Sequence, residues 1–271
     1  MVIDFHTHVF PDAIAARSIA ALESNADLKA YTDGTLSGLK LSMGESGVDY
    51  SVILPVATRP SQFQSINTYA ASITGKDGII SFGGIHPETE HYKEELDRIK
   101  ALGLKGIKLH PDYQQCFVDD PNSVRIISYA VSIGLFVALH AGIDIGLPDV
   151  VHCPPERTLR MLRQVYGKTI PKERRIILAH TGGWGQWDQV EELLVGEPVY
   201  MDISFSMGMI EDQQLLRIIR KHGTENMLFA TDSPWSGQKE TLEYFDTLPL
   251  SREEKERILW GNASRLLDLS L

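Results

Sequence analysis

The sequence predicts an α/β protein folded as a single (β/α)8 TIM barrel, one domain over residues 1–271. Three observations predict it. Short apolar, β-branched runs recur eight times, stretches of helical periodicity separate them, and the first run ends in His-Thr-His. Strands alternating with helices build a parallel sheet covered by helices, and a closed eight-stranded version needs about 250 residues. An open doubly wound sheet would more often show a glycine-rich phosphate loop after its first strand.

The runs are "VIDF" (2–5), "VDYSVILP" (48–55), "IISFGG" (79–84), "LKGIKLH" (104–110), "LFVALH" (135–140), "RIILAH" (175–180), "VYMDIS" (199–204) and "MLFAT" (227–231). Gly, Pro and polar residues bound them, as they bound strands buried on both faces. Between them, "PETEHYKEELDRIKALG" starts with proline and acidic residues, repeats apolar positions at Leu96, Ile99 and Leu102, and stops on glycine. Those are helix start and stop signals in the correct order. "PNSVRIISYAVSIG", "PPERTLRMLRQVYG" and "EDQQLLRIIRKHG" repeat the plan. No repeat of fixed period, low-complexity linker or shift of composition marks a domain boundary. The long connection from Ala141 to about Pro155 is expected to cover a pocket.

Composition narrows the function classes. The chain is 43% hydrophobic and 23% charged, the balance of an ordinary soluble domain. A net charge of −10 with no basic stripe argues against nucleic acid or an anionic membrane as partner. The most basic stretch, "KERRIILAH", runs into an apolar strand and reads as a solvated lead-in. No apolar run approaches the roughly 20 residues of a membrane span. The first residues lack the basic-then-apolar pattern of a secretory signal. With only two cysteines, Cys116 and Cys153, the expectation is a cytoplasmic protein without a disulfide framework.

The chemistry collects at strand ends, which in such a barrel converge on one mouth. His6 and His8 close the first run, and residues two apart on a strand point the same way. His86 lies just beyond the third run, Lys108 and His110 come from the fourth, His140 from the fifth, His180 from the sixth and Asp232 after the eighth. Five runs out of eight thus place a histidine at or near their end, which nine histidines scattered at random would rarely do. Three imidazoles and a carboxylate suit Zn²⁺ or another divalent transition metal, and His6, His8, His140 and Asp232 are the chosen set. Such a metal lowers the pKa of bound water and polarises a substrate oxygen. His180 beside it serves as general acid or base, and Asp232 also accepts a proton.

"DFHTHVFP", "LHAG", "AHTGG", "TDSPW" and "GNASRLL", in that order from first strand to last helix, resemble the amidohydrolase superfamily. Within it, the resemblance is to the branch of small metal-dependent (β/α)8 barrels that contains aminocarboxymuconate semialdehyde decarboxylase. The resemblance implies that His6, His8, His140 and Asp232 hold the metal and that His180 works on water or substrate. It also raises a strand-four lysine, carbamylated in other members to bridge two metals. Lys108 is either that bridge, allowing a second metal with His140 and His180 turned towards it, or an ammonium that binds a substrate carboxylate. His110 shares its parity and belongs beside it as second-metal or substrate-binding residue.

The expected activity is hydrolysis of an amide, lactone or ester of a small molecule by metal-activated water. The alternative is non-oxidative decarboxylation of a small unsaturated or aromatic acid. Behind these stand a TatD-type nuclease, which shares the HxH opening and "GIHP", and a non-catalytic metal-binding barrel. The expected partner is a small molecule, a carboxylic acid among the candidates, and a homodimer is compatible. Arg59, His86, His152, Trp184 and Trp235 are candidates to line the pocket, each with an ordinary alternative such as a cap, a loop pair or helix packing. His91 and His222 are expected to be solvated on helices, and Cys116 lacks a base that would make it a nucleophile.

Overall fold

A computed structural model describes residues 1–167 and 173–269. Lys172, which opens the basic lead-in, is outside the described residues. The chain divides into two compact units. Unit one comprises Met1–Ile53, Gly75–Ile80 and Asp202–Leu271, and unit two comprises Leu54–Thr74 and Ser81–Met201.

In unit one, strand β1 (Ile3–Thr7) pairs in parallel with β2 (Tyr50–Ile53), with Ile3 opposite Tyr50. Strand β3 (Ile79–Ser81) follows β2 in the same sheet. On its other side β1 meets the chain after the short strand Met227–Leu228, where Phe5 N donates to Phe229 O at 2.9 Å. Flanked on both sides, all five residues of β1 are buried. That burial explains the nearly continuous apolar run and makes the polar members Asp4, His6 and Thr7 informative. The helix Leu36–Ser46 buries Leu39 and Met43. Thr35 caps it by accepting from Gly38 N, and it closes on Gly47 in the left-handed conformation.

Unit two holds β4 (Gly83–Gly84), β5 (Gly106–Leu109), β6 (Phe136–Leu139) and β7 (Ile176–Leu178), parallel neighbours in that order. β7 pairs onward with Tyr200 and Met201 of β8 (Tyr200–Asp202), and the strand Met227–Leu228 is β9. Ile107, Val137, Leu139, Ile176 and Leu178 are essentially inaccessible. Side chains of that kind each contribute about 1.5–3 kcal/mol on full burial. The helices Pro121–Ser132 and Pro155–Tyr166 begin with proline at their first position, and Tyr92–Ala101 buries Leu96 and Ile99.

One expected strand differs. The run 79–84 divides at Phe82 into β3 and β4. The side chain of Asn67 accounts for part of this: it accepts from Gly84 N and donates to Gly84 O, taking backbone groups that a longer strand would have paired. His222 also differs from expectation. It lies on the helix Asp212–His222 but is buried rather than solvated.

Candidate metal centre and the histidines of unit two

The metal-ligand pattern seen at the first strand closes into a triad within unit one. His6 Nε2 and His8 Nε2 are 3.1 Å apart, His8 Nε2 is 3.1 Å from Asp232 Oδ1, and His6 Nε2 is 3.3 Å from the same oxygen. Two backbone hydrogen bonds hold the pieces together: Asp232 N donates to His6 O at 2.8 Å and His8 N to Ser233 O at 2.6 Å. Asp232 adopts φ 69°, a left-handed conformation that aspartate tolerates better than most residues and that here turns the chain back over β1.

Second contacts decide which nitrogen of His6 carries the proton. Its Nδ1 is 3.0 Å from Asp202 Oδ2, so Nδ1–H donates to that carboxylate and Nε2 keeps its lone pair. Ser204 Oγ stands 3.1 Å from the same nitrogen. A carboxylate on the far nitrogen is the usual partner of a metal-ligating histidine, fixing its tautomer and raising its basicity. The triad fits a divalent metal. Ligands about 2.0–2.1 Å from a tetrahedral ion stand roughly 3.3–3.4 Å apart, close to the three separations found. Two imidazoles and a carboxylate are the donor types such ions take.

Asp4, behind the triad, is fully buried. It accepts from Thr231 N at 2.9 Å, from Thr231 Oγ1 at 2.6 Å and from Gln238 Nε2 at 2.8 Å. Burial pushes its carboxyl up to about 6, against the opposing pull of those hydrogen bonds. Asp4 thereby ties β1 to the residue that precedes Asp232.

Unit two gathers the other histidines by strand register. Leu109 of β5 lies opposite Leu139 of β6, so the next residues, His110 and His140, fall side by side. Their rings stack, with centroids 4.1 Å apart and planes 10° from parallel. His180, two residues beyond β7, brings Nε2 to 3.0 Å from His140 Nδ1. It also has a left-handed backbone, φ 58°, and its carbonyl accepts from Trp187 Nε1. Burial, then the neighbouring His110 and His180, holds His140 well below the ordinary imidazole range, so it is neutral near pH 7.

Carboxylates surround this group. Asp144 Oδ2 is 3.4 Å from His110 Nε2, and Asp112 Oδ2 is 3.8 Å from His140 Nε2. Asp112 Oδ1 accepts from both the backbone N and Nδ1 of His152, each at 3.0 Å. Burial raises the Asp112 carboxyl, with Asp144 adding to the effect. The glycine of "LHAG" has a backbone reason. Gly142, at φ 87°, packs so closely on the chain after His180 that a Cβ would fall 2.1 Å from Trp184 N. That contact keeps the ends of β6 and β7 in register.

Of the residues expected at the site, unit one brings together His6, His8 and Asp232. Unit two brings together His110, His140 and His180, and buries Lys108 within β5. His152 is the partner of Asp112. His86 is buried and accepts from Glu88 N through Nδ1 at 3.2 Å, a local cap. Burial lowers its basicity further. Trp184 and Trp235 are half-buried, and Arg59 is exposed before the turn Pro60–Gln62. Three participants were missed by reading the sequence. Asp202 ends β8 and holds His6, Asp144 lies in the long connection beside His110, and Asp112 stands two residues beyond it. For Asp202 the terminal position in "VYMDIS" was the available signal.

A family model described as amidohydrolase matches residues 3–269. The chain belongs to the amidohydrolase family. It is an enzyme of that family, with the (β/α)8 fold that similar solved structures share. An uncharacterised TIM-barrel protein from Bordetella bronchiseptica aligns with 21% identity, covering 98% of each chain, at a TM-score of 0.78. The 5-carboxyvanillate decarboxylase of Sphingomonas paucimobilis aligns with 15% identity over 99% of each chain at 0.72. A dihydroxybenzoic acid decarboxylase from Polaromonas, with bound manganese and 2-nitroresorcinol, aligns with 17% identity over 100% of this chain and 97% of its own at 0.69. A search of curated proteins found no match. Among the described residues, no helix is long and apolar enough to cross a membrane.

Proposed function

We propose that this amidohydrolase is a metal-dependent, non-oxidative decarboxylase of a small aromatic carboxylic acid. The observation that carries the metal-dependent part is the His6–His8–Asp232 triad, with the tautomer of His6 set by Asp202. Similarity to two decarboxylases of substituted benzoates favours loss of CO₂ over the hydrolysis expected first from the motifs. The metal is Zn²⁺ or Mn²⁺. Imidazole and carboxylate donors accept both, and manganese is the ion in the Polaromonas structure.

When bound, the metal supplies a Lewis acid that polarises a substrate oxygen. Lys108 supplies a cation for the substrate carboxylate, acting as a point charge. His180, whose Nε2 meets His140 Nδ1 at 3.0 Å, would act as an imidazolium, delivering an N–H proton to the aromatic carbon as the carbon–carboxylate bond breaks and returning to neutral imidazole. The electron pair of that bond forms the new C–H bond and CO₂ departs, so the step needs no oxidant or reductant. The residues serve one (β/α)8 domain over 1–271, a reading supported by a family match that runs nearly end to end.

The test is turnover by metal-replete protein on hydroxybenzoates and carboxyvanillate-type acids, with lactones, esters and amides beside them. Expected is CO₂ release from an aromatic acid, with one deuterium entering at the vacated carbon in D₂O. Hydrolysis of a lactone, ester or amide without CO₂ release from any acid would restore the hydrolase reading.

A further inference from the structure

We infer that Trp187 is a positioning residue: its indole N–H fixes the carbonyl of His180 and so holds the imidazole in place for proton transfer. The inference rests on the reading of His180 as proton donor and names the group that sets the donor's direction.

The chain leaves β7 in an unusual way. Ala179 N still continues the ladder, donating to Leu139 O at 2.9 Å. The next three residues are all left-handed, with φ 58° at His180, 55° at Thr181 and 82° at Gly182. Glycine adopts that region freely and histidine tolerates it, but a β-branched threonine there is a steric outlier. Thr181 is fully buried, and its Oγ1 has no hydrogen-bond partner among the described residues, so the hydroxyl does nothing to offset the strain. Strain of this kind persists only where the surroundings over-determine the conformation, and it collects at functional sites.

What over-determines it is the helix Trp187–Leu193. The His180 carbonyl is met by Gly183 N at 3.3 Å, longer than an ordinary N–H···O bond, and by Trp187 Nε1 at 3.1 Å. The indole is held against that carbonyl. Val190 of the same helix packs so closely on the turn that a Cβ at Gly182 would fall 3.0 Å from its Cγ1, and one at Gly183 2.9 Å from its Cγ2. The indole ring also meets Trp184 edge-on, with centroids 6.0 Å apart. Trp184 is tied in turn to the exit of β6: its N donates to Ala141 O at 2.9 Å, and its O accepts from Ile143 N at 3.0 Å. Helix and strand ends thus form one frame, and the indole N–H is the group through which that frame grips His180. With its carbonyl fixed, His180 keeps Nε2 3.0 Å from His140 Nδ1. Without the indole, the strained turn relaxes towards extended backbone and the imidazole leaves that position.

The experiment compares wild type, Trp187→Phe and Trp187→Phe/Thr181→Gly. Metal content, thermal midpoint, kcat and KM are measured on the best substrate of the panel, whichever reaction it undergoes. Phenylalanine keeps an aromatic ring and removes the N–H. Expected is a fall in kcat of about tenfold, the scale of one lost hydrogen bond, with KM and metal content unchanged. Glycine at position 181 adopts the left-handed turn without strain, so the double variant should recover most of the lost kcat. A tryptophan needed only for packing would not be rescued in that way. In parallel, NMR of protein with isotope-labelled histidine follows the His180 ring signals, assigned with His180→Asn. They should move in Trp187→Phe and return in the double variant. This readout needs no turnover, so it stands even where the decarboxylase reading fails. Unchanged His180 signals and kcat in Trp187→Phe overturn the inference, as does a loss that Thr181→Gly leaves unrepaired. Should Trp187→Phe fail to fold, hydrogen exchange of the Trp187 indole N–H in wild type reads the same bond. Slow exchange supports it, and exchange at the rate of a free indole overturns it.

Discussion

The two clusters of ligand-capable side chains, one in each unit, are put together by different means. In unit one, His6 and His8 come from one strand, and Asp232 is hydrogen-bonded to it through the backbone. The far nitrogen of His6 is already committed to Asp202. In unit two, His110 and His140 come from neighbouring strands by register, and their carboxylates come from outside the sheet. One ring edge there is left facing a carboxylate without a hydrogen bond. The first cluster has its lone pairs sorted in advance, whereas the second has a charge and a lone pair still to be matched. A carboxylate on the far nitrogen is what fixes the tautomer of a metal-ligating histidine, and only the first cluster shows it.

The largest effect expected from breaking that contrast falls on the first strand. Replacing His6 and His8 together by alanine should remove the metal of unit one and lower turnover by roughly a thousandfold or more, because Lewis-acid assistance disappears. Metal analysis alongside rate measurement checks both halves.

His180→Asn comes next. It should cost about 10²–10⁴ in turnover, the range of general acid–base catalysis, while leaving metal content nearly intact. Loss of metal in that variant would make His180 a ligand.

Asp202→Ala probes the preorganisation itself. Losing the carboxylate behind a metal-ligating histidine typically lowers metal affinity by about 10–100-fold. A competition titration with a chelating dye would read the shift, and an unchanged affinity would mean that Asp202 does not tune His6.

The smallest effects concern the thiols. Burial pushes Cys153 up to about 12 and, with Glu88 and Asp120 nearby, Cys116 up to about 11. Thiolate is therefore scarce at pH 8, and iodoacetamide should label neither cysteine at an appreciable rate until the protein unfolds. The unfolded thiols ionise near 9.0, below their folded values, so the unfolded state loses protons first as pH rises. Stability should accordingly fall above about pH 9. Rapid labelling of the half-buried Cys116 in folded protein would contradict the upward shift of its thiol.

Much of this was legible in the sequence because it depends on short-range periodicity. The eight runs, the proline-started helices and the HxH pair all follow from spacing of two or 3.6 residues. Asp232 was legible as well, from its place after "MLFAT". What could not be read were pairings set by register between distant segments. Asp202 meets His6 across 196 positions of chain, and Asp112 meets His152 across 40. A carboxylate at a strand end gives no local sign of which imidazole it will orient. The division at Phe82 was hidden for the same reason. Asn67 takes the backbone groups of Gly84 from 17 residues away, a contact without any periodic signature.

The most direct test of the central claim is the rate of CO₂ release by Asp232→Asn on the best aromatic acid of the panel. Asparagine keeps the shape and one oxygen but removes the charge that meets His6 and His8. The prediction is a fall of about a thousandfold or more relative to wild type, with the thermal midpoint of the metal-free protein nearly unchanged. Near-normal CO₂ release from that variant would contradict a metal centre at His6, His8 and Asp232.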